Sequence, residues 1–504
     1  MNKFLQSYGP LALLLAVAFV LNLWGPPLFD LDEGAFSAAT LEMLQRGDYV
    51  TTWLNGEPRF DKPILIYWLQ ALSTGLAGTD EFFYRLPSAL AAIGWSLALY
   101  FFARERFDAD RSLVALVFLC SAAGVVVIGR AATADALLNL WLTLAGLDGY
   151  RAAVEKNPRA LWRAWVWIGL GILTKGPVGA VVPFMALSLY SLVQRDLACW
   201  VRVALFWRGW ILAALIFLPW YILEYLAQGQ AFIDGFFLQH NLGRFTETME
   251  SHGGTPLYYI PGILLVSLPF AVWVVRGLAS IRLIRQDALL CWCWGWFLFV
   301  FLFFSFSGTQ LPHYVLYGMT PLVLLMSSYG AGQPSWWFLP ALILPALGVF
   351  LPDLISVASQ TAQDPWIAGA LQRGAVQVGW ATRLASVVLL ALLLVTIWRV
   401  SGVSRVYLVG LLHSLFLVLV LLPAAAEVQQ APVKQAAILA RDIDQPIVMW
   451  RVDMPSFTTY RGQITPRREP VSGEWVFTRE GRIDESRLAE IAYRNGGILL
   501  ARVR

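Results

Sequence analysis

The sequence predicts a polytopic α-helical membrane protein of about thirteen spanning helices, followed by a small C-terminal α/β extramembrane domain. Three observations carry that prediction. Of 504 residues, 58% are hydrophobic and only 14% charged, where a soluble chain carries charge on roughly a quarter of its residues. Apolar runs of near-spanning length recur along most of the chain. Lys and Arg collect in alternate inter-helix loops, as the positive-inside rule requires. The net charge of +4 is small, and the basic residues form no aromatic-studded stripe, so nothing points to nucleic acid.

The first run, residues 9–24, has the makings of a signal peptide. No small-residue cleavage site comes before "WGPPLFD", so it reads as an uncleaved helix. Further runs follow at 86–103, 112–129 and 134–150. Two short segments, 161–173 and 177–193, are split by "TKGP". The rest lie at 204–222, 257–275, 288–306, 313–328, 335–352, 381–398 and 405–422. With a cytoplasmic N-terminus, the inside loops hold Arg104, Arg106 and Arg111, then Arg151, Lys156, Arg159 and Arg163, then Arg195, Arg202 and Arg208. That pattern predicts an N-in, C-out arrangement, with the C-terminal part on the outer side of the membrane. Cys120, Cys199, Cys291 and Cys293 fall in or beside these runs without zinc-site spacing, and read as packing residues.

Two outer loops, about 25–85 and 223–256, are too long to be mere turns, and long ordered loops are usually functional. The first holds an amphipathic stretch, "EGAFSAATLEMLQRG", and then "PILIYWLQALSTGL", which is apolar enough for the interface. After residue 423 the composition changes. "QPIVMWRV" and "GGILLARV" read as strands and "DESRLAEIAYRNG" as a helix. The chain thus divides into a membrane domain, 1–423, and an outer α/β domain, 424–504.

Ionisable groups beside a bilayer are costly, and each of these has a structural alternative. Asp32 and Glu33 fit a helix N-cap pair, or a carboxylate able to take a proton from a hydroxyl nucleophile. Asp61 and Lys62, before Pro63, fit a surface ion pair, or a cation at a helix N-terminus suited to phosphate. Arg85 stands just before a Pro-containing helix entry. Asp135 fits a cap or an acidic site near Arg130. Lys175 has no acidic neighbour in sequence and fits either snorkelling or an anion site. His240 and Arg244 are four apart, hence on one face if helical. His313 and Tyr314 sit at the mouth of a later helix, and Tyr67 completes the candidate set. Under the predicted topology all gather at the outer ends of helices. Mixed acids and cations on one face suit a reaction between a negatively charged lipid headgroup and a hydroxyl or phosphate acceptor. A secondary transporter or flippase would instead carry such groups near mid-bilayer and show paired repeats.

The stretch "DLDEGAFSAATLEMLQRGDYVTTWLNGEPRFDKPILIYWLQAL" resembles the first outer loop of the lipid A aminoarabinose transferases and the wider protein-mannosyltransferase-like family. "RLPSAL", "TADALL", "LTKGPVGAVVP", "FFLQHNLGRF", "YYIPGILLVSLPF" and "LPHYVLYGMTPLVLLM" follow in register. The resemblance covers roughly the first 330 residues and is much weaker beyond. It implies a GT-C glycosyltransferase that moves a sugar from a polyprenyl-phosphate donor to a lipid A, glycan or protein acceptor outside the cytoplasmic membrane. The chain itself is expected to be a monomer. Carried over by position, Asp32 is the catalytic carboxylate, Glu33 its neighbour and Asp135 the second acidic site. Lys62 and Arg244 face the donor phosphate, and Arg85 and Lys175 join that cationic set. No cofactor is required by the residues, although the resemblance allows a divalent metal. One departure stands out. Gln310 occupies a position where relatives often carry Lys, which leaves His313 as a substitute cation.

Overall fold

The computed structural model describes residues 8–243 and 254–504. Helix α1, Gly9–Leu15, runs on as a π-helical turn to Val20. The segment that follows forms α2, Asp32–Arg46, a small hairpin of β1 (Trp53–Leu54) and β2 (Glu57–Pro58), and α3, Leu65–Ala77. Gly47 closes α2 with φ +67°, a conformation that a side chain disfavours.

A helical bundle follows. It comprises α4 (Glu81–Arg104), α5 (Ala109–Ser121), α6 (Ala123–Arg130), α7 (Asp135–Ala153), α8 (Pro158–Lys175), α9 (Val178–Gln194), α10 (Leu197–Ala204) and α11 (Trp207–Gln228). Asp80, Asp108, Asn157 and Asp196 start four of these by accepting backbone N–H groups, which satisfies otherwise orphaned donors. Next come α12 (Tyr259–Val266), α13 (Ala271–Leu278), α14 (Ala288–Ser305) and α15 (Met319–Ser327). The remaining helices are α16 (Ile343–Thr361), α17 (Pro365–Gln377), α18 (Trp380–Arg399), α19 (Gly402–Phe416), α20 (Leu422–Gln429) and α21 (Ala431–Leu439). Helix α8 packs on α7 and α11, α9 on α14, and α19 returns to α5.

Not every apolar run becomes one long helix. Among the described residues six helical segments are long and apolar enough to cross a membrane, or seven if the bent pair α5–α6 counts as one. The run 257–275 is split into α12 and α13, and 313–328 becomes a 3-10 turn, Pro312–Gly318, leading into the wholly buried α15. Interior helices escape the hydropathy rule because their polar groups meet protein rather than lipid. Buried Asp148 of α7, for example, accepts from Arg151, Arg163 and Trp167.

The C-terminal sheet is ordered β3 (Ile447–Met449), β4 (Trp475–Arg479), β6 (Ile498–Val503) and β5 (Leu488–Asn495). Strand β3 is parallel to β4, and the other pairs are antiparallel. Two sequence expectations hold as strands, β3 and β6. The expected helix in "DESRLAEIAYRNG" is a correction, because that stretch is edge strand β5 after a short 3-10 turn at Glu485–Arg487. Its pairing with β6 outweighs a helix-like composition. The sheet's apolar core also takes in Leu28, Tyr84 and Ala132. The short helix α22, Ser456–Arg461, lies against α2.

Candidate functional site

The segment between α1 and α3, α7, α8, the segment 235–240 and the turn before α15 surround one cavity of about 670 Å3. Asp32, Arg59, Asp61, Lys62, Asp135, Lys175, His240, His313 and Tyr314 line it, with Asp453, Pro455 and Arg467 from the C-terminal sheet region. A second hollow of about 190 Å3 shares Asp61, Lys62, Lys175, His240 and Tyr314. Its other walls are Val178, Val181, Val182, Phe299, Phe303 and Phe304. The cations therefore stand where a polar chamber meets an apolar groove.

Asp32 opens α2, but it does not cap the helix, since Leu31 is the N-cap and no side chain bonds there. The carboxylate is exposed to the cavity and makes no hydrogen bond or ion pair among the described residues. Glu33 is its opposite. At 3% exposure it accepts from Arg85 Nε and Nη2 (2.8 and 2.7 Å), Ala132 N (2.7 Å) and Phe29 N (2.9 Å). Arg85 also donates to Leu23, Pro26 and Pro27 carbonyls. All five guanidinium donors are thereby committed, and none remains for a phosphate. The expectation that Glu33 is catalytic and Arg85 binds the donor phosphate is therefore revised on geometry: together they clamp the loop that leads into α2.

Asp135, 5% exposed, is likewise no cap. It accepts from Lys175 Nζ (2.5 Å) and Tyr317 Oη (2.6 Å), with His313 Nε2 3.6 Å away. Lys175 also reaches Tyr317 Oη at 2.8 Å. Its partner thus lies forty residues upstream, which rules out simple snorkelling. Lys62 donates to Asp61 Oδ1 at 2.6 Å. Arg59 reaches Asp61 Oδ2 at 2.9 Å, and His240 Nδ1 stands 3.4 Å from Oδ1. Tyr67 is fully buried and meets the site through Arg59, whose Nη1 donates to its hydroxyl at 2.7 Å, and through Phe36 of the cavity wall, on which its ring stacks. Arg244 lies outside the described residues.

Sequence reasoning missed Arg59 and Tyr317. Tyr317 was findable, being four residues after His313. Gln310, at the departure noted above, is buried and donates to Ser305 O, away from both cavities. As for a metal, no three His, Cys, Asp or Glu side chains converge among the described residues. The nearest pair, Asp61 with His240, has its carboxylate already held by Arg59 and Lys62.

Asp30, beside these groups but outside the spanning helices, is pushed up to about 7 by burial, against the hydrogen bonds from Ser456. A carboxyl raised in the folded state contributes stability that is full below its unfolded value and lost as pH rises through about 7. Wild type should therefore lose stability relative to Asp30→Asn between pH 4 and 8, by at most about 4 kcal/mol. Thermal unfolding in detergent across that range checks it, and parallel curves for the two proteins would contradict it.

The chain resembles several known proteins. Residues 61–223 match the family model of dolichyl-phosphate-mannose-protein mannosyltransferases. A protein of unassigned function from Aquifex aeolicus (strain VF5) is 32% identical over 317 residues, covering 62% of this chain and 70% of that one. An undecaprenyl phosphate-alpha-4-amino-4-deoxy-L-arabinose arabinosyl transferase from Serratia proteamaculans (strain 568) is 31% identical over 334 residues, covering 63% and 58%. The match thus spans little more than half the length of that transferase. The crystal structure of ArnT from Cupriavidus metallidurans bound to undecaprenyl phosphate shares the fold, with TM-score 0.81, 21% identity and coverage of 98% and 97%. An oligosaccharyltransferase from Archaeoglobus fulgidus is more distant, with TM-score 0.53, 12% identity and coverage of 92% and 65%.

Proposed function

We infer a reaction from one premise: the chain is a GT-C membrane glycosyltransferase that resembles the lipid A aminoarabinose transferases. The reaction is transfer of a sugar from an undecaprenyl-phosphate-type donor to a hydroxyl on a lipid or glycan acceptor. One observation carries this reading. The cavity places an unpartnered carboxylate, Asp32, in the same chamber as Lys62 and Lys175, and those cations also border an apolar groove fit for a polyprenyl tail.

In the proposed step the acceptor hydroxyl oxygen attacks the anomeric carbon while the carbon–phosphate-oxygen bond breaks. The bonding pair leaves with the polyprenyl phosphate, the hydroxyl proton passes to Asp32, and the anomeric centre inverts. Lys62 and Lys175 offset the charge of the leaving phosphate in a site shielded from water. Both already hold carboxylates, so the incoming phosphate competes with Asp61 and Asp135, and His313 and Tyr317 steady Asp135 when Lys175 turns. The catalytic face would lie on the periplasmic side of the inner membrane, with the N-terminus cytoplasmic and residues 424–504 periplasmic.

The test is transfer from radiolabelled undecaprenyl-phosphate sugars by the purified chain in liposomes containing envelope lipids. Label should appear in the acceptor fraction. A silent donor panel together with labelled lipid crossing the bilayer would instead make the chain a flippase. Lys62→Ala should raise the donor KM about tenfold or more, as loss of a charge-assisted bond to phosphate does. An unchanged KM would confine Lys62 to its ion pair with Asp61.

A further inference from the structure

Besides the Glu33–Arg85 clamp, the segment that carries Asp32 is tied to the C-terminal region, chiefly to the short stretch 456–460. Tyr460 Oη accepts from Leu28 N at 2.6 Å. Asp30 accepts from Ser456 N at 2.9 Å and from Ser456 Oγ at 2.5 Å. Ser37 and Thr459 share a hydroxyl bond of 2.9 Å. The Gln430 amide, oriented as its neighbours require, meets both the carboxylate and the backbone N–H of Asp30 at 3.1 Å. An independent packing observation agrees. A Cβ on Gly34 would lie 2.7 Å from Ser456 N and 1.9 Å from Asp30 Oδ1. The first turn of α2 is thus pressed against the start of α22 as closely as glycine allows. These contacts bracket Asp32 on both sides in sequence, and Asp453, Pro455 and Arg467 of the same region wall the cavity that Asp32 faces.

We propose that Asp30 and Ser456 are positioning residues: their contact holds the start of α2 so that Asp32 meets the acceptor hydroxyl, which makes the C-terminal sheet region a working part of the transfer site. The inference rests on the general-base reading of Asp32. A base must sit within hydrogen-bond reach of the proton it takes, and a displacement of about 1 Å costs up to about a hundredfold in rate. The contact is well placed to prevent such a displacement, since Asp30 is two residues from Asp32 and the Ser456 bonds bridge 426 residues of chain.

The experiment measures steady-state transfer by full-length Ser456→Ala, Asp32→Asn and the double variant, alongside binding of undecaprenyl phosphate. Ser456→Ala should lower kcat about tenfold while donor KM and undecaprenyl phosphate affinity stay within about twofold. In the Asp32→Asn background the same substitution should cost less than about twofold, because the base it positions is already gone. Wild-type kcat in Ser456→Ala, an equal loss in both backgrounds, or a parallel rise in donor KM would each overturn the proposal. Should Ser456→Ala fail to fold, Asp30→Asn probes the same contact from the other side under the same criteria. Wild-type transfer by Asp32→Asn alone would overturn the general base itself, a failure seen without reference to Ser456.

Discussion

Asp32→Asn lowers sugar transfer at least about a hundredfold, equivalent to about 2.7 kcal/mol of transition-state stabilisation, while the protein folds and inserts as wild type does. The expectation follows from what Asp32 lacks. Among the described residues its carboxylate makes no hydrogen bond or ion pair, although it opens a helix and stands in a chamber lined with cations. Replacing one oxygen by nitrogen therefore breaks no hydrogen bond or ion pair among the described residues and leaves the size of the group unchanged, but removes the ability to accept a proton. The loss should fall on kcat with little change in donor KM, because the interaction is made as the hydroxyl proton leaves. Initial rates with labelled donor, beside circular dichroism and gel filtration of both proteins, decide it. Transfer within about threefold of wild type would remove Asp32 from the role.

Much of this site was legible before the fold was known. Asp32, Lys62, Asp135 and Lys175 drew attention because ionisable groups near a bilayer need a reason, and four such groups on one predicted side share that reason. The sequence could not separate Asp32 from Glu33. The two are adjacent and chemically alike, and what distinguishes them is a guanidinium 52 residues away from Glu33. Arg85 was misread for the same cause, since the carbonyls of Leu23, Pro26 and Pro27 that saturate it come from another loop. Strand β5 was hidden because most of its residues are exposed and show no clear apolar alternation. Its edge position is set by pairing with β6 across Gly496 and Gly497, which both hold positive φ. Gly34 was visible as a letter in "DEGAF", but its function depends on Ser456, which lies at the far end of the chain.

Arg85→Met destabilises the protein by about 3–5 kcal/mol, the cost of leaving a buried carboxylate without its counter-charge. Glu33 keeps the Ala132 and Phe29 N–H groups in that variant, which is too little to hold a full negative charge at 3% exposure. The carbonyls of Leu23, Pro26 and Pro27 lose their donors as well, so the loop between α1 and α2 loosens where Asp32 is attached. Combining Arg85→Met with Glu33→Gln removes the stranded charge and should recover part of the stability, leaving the lost carbonyl bonds as the residue of the effect. Unfolding curves in detergent for both single variants and the double one measure this coupling. The alternative role makes a different forecast. An arginine that held the donor phosphate could be replaced with little loss of stability, and the cost would appear in donor KM. A stable Arg85→Met with a raised donor KM would therefore return Arg85 to the phosphate site and leave Glu33 needing another partner. Five committed donors and a bidentate contact at 2.7 and 2.8 Å favour the clamp.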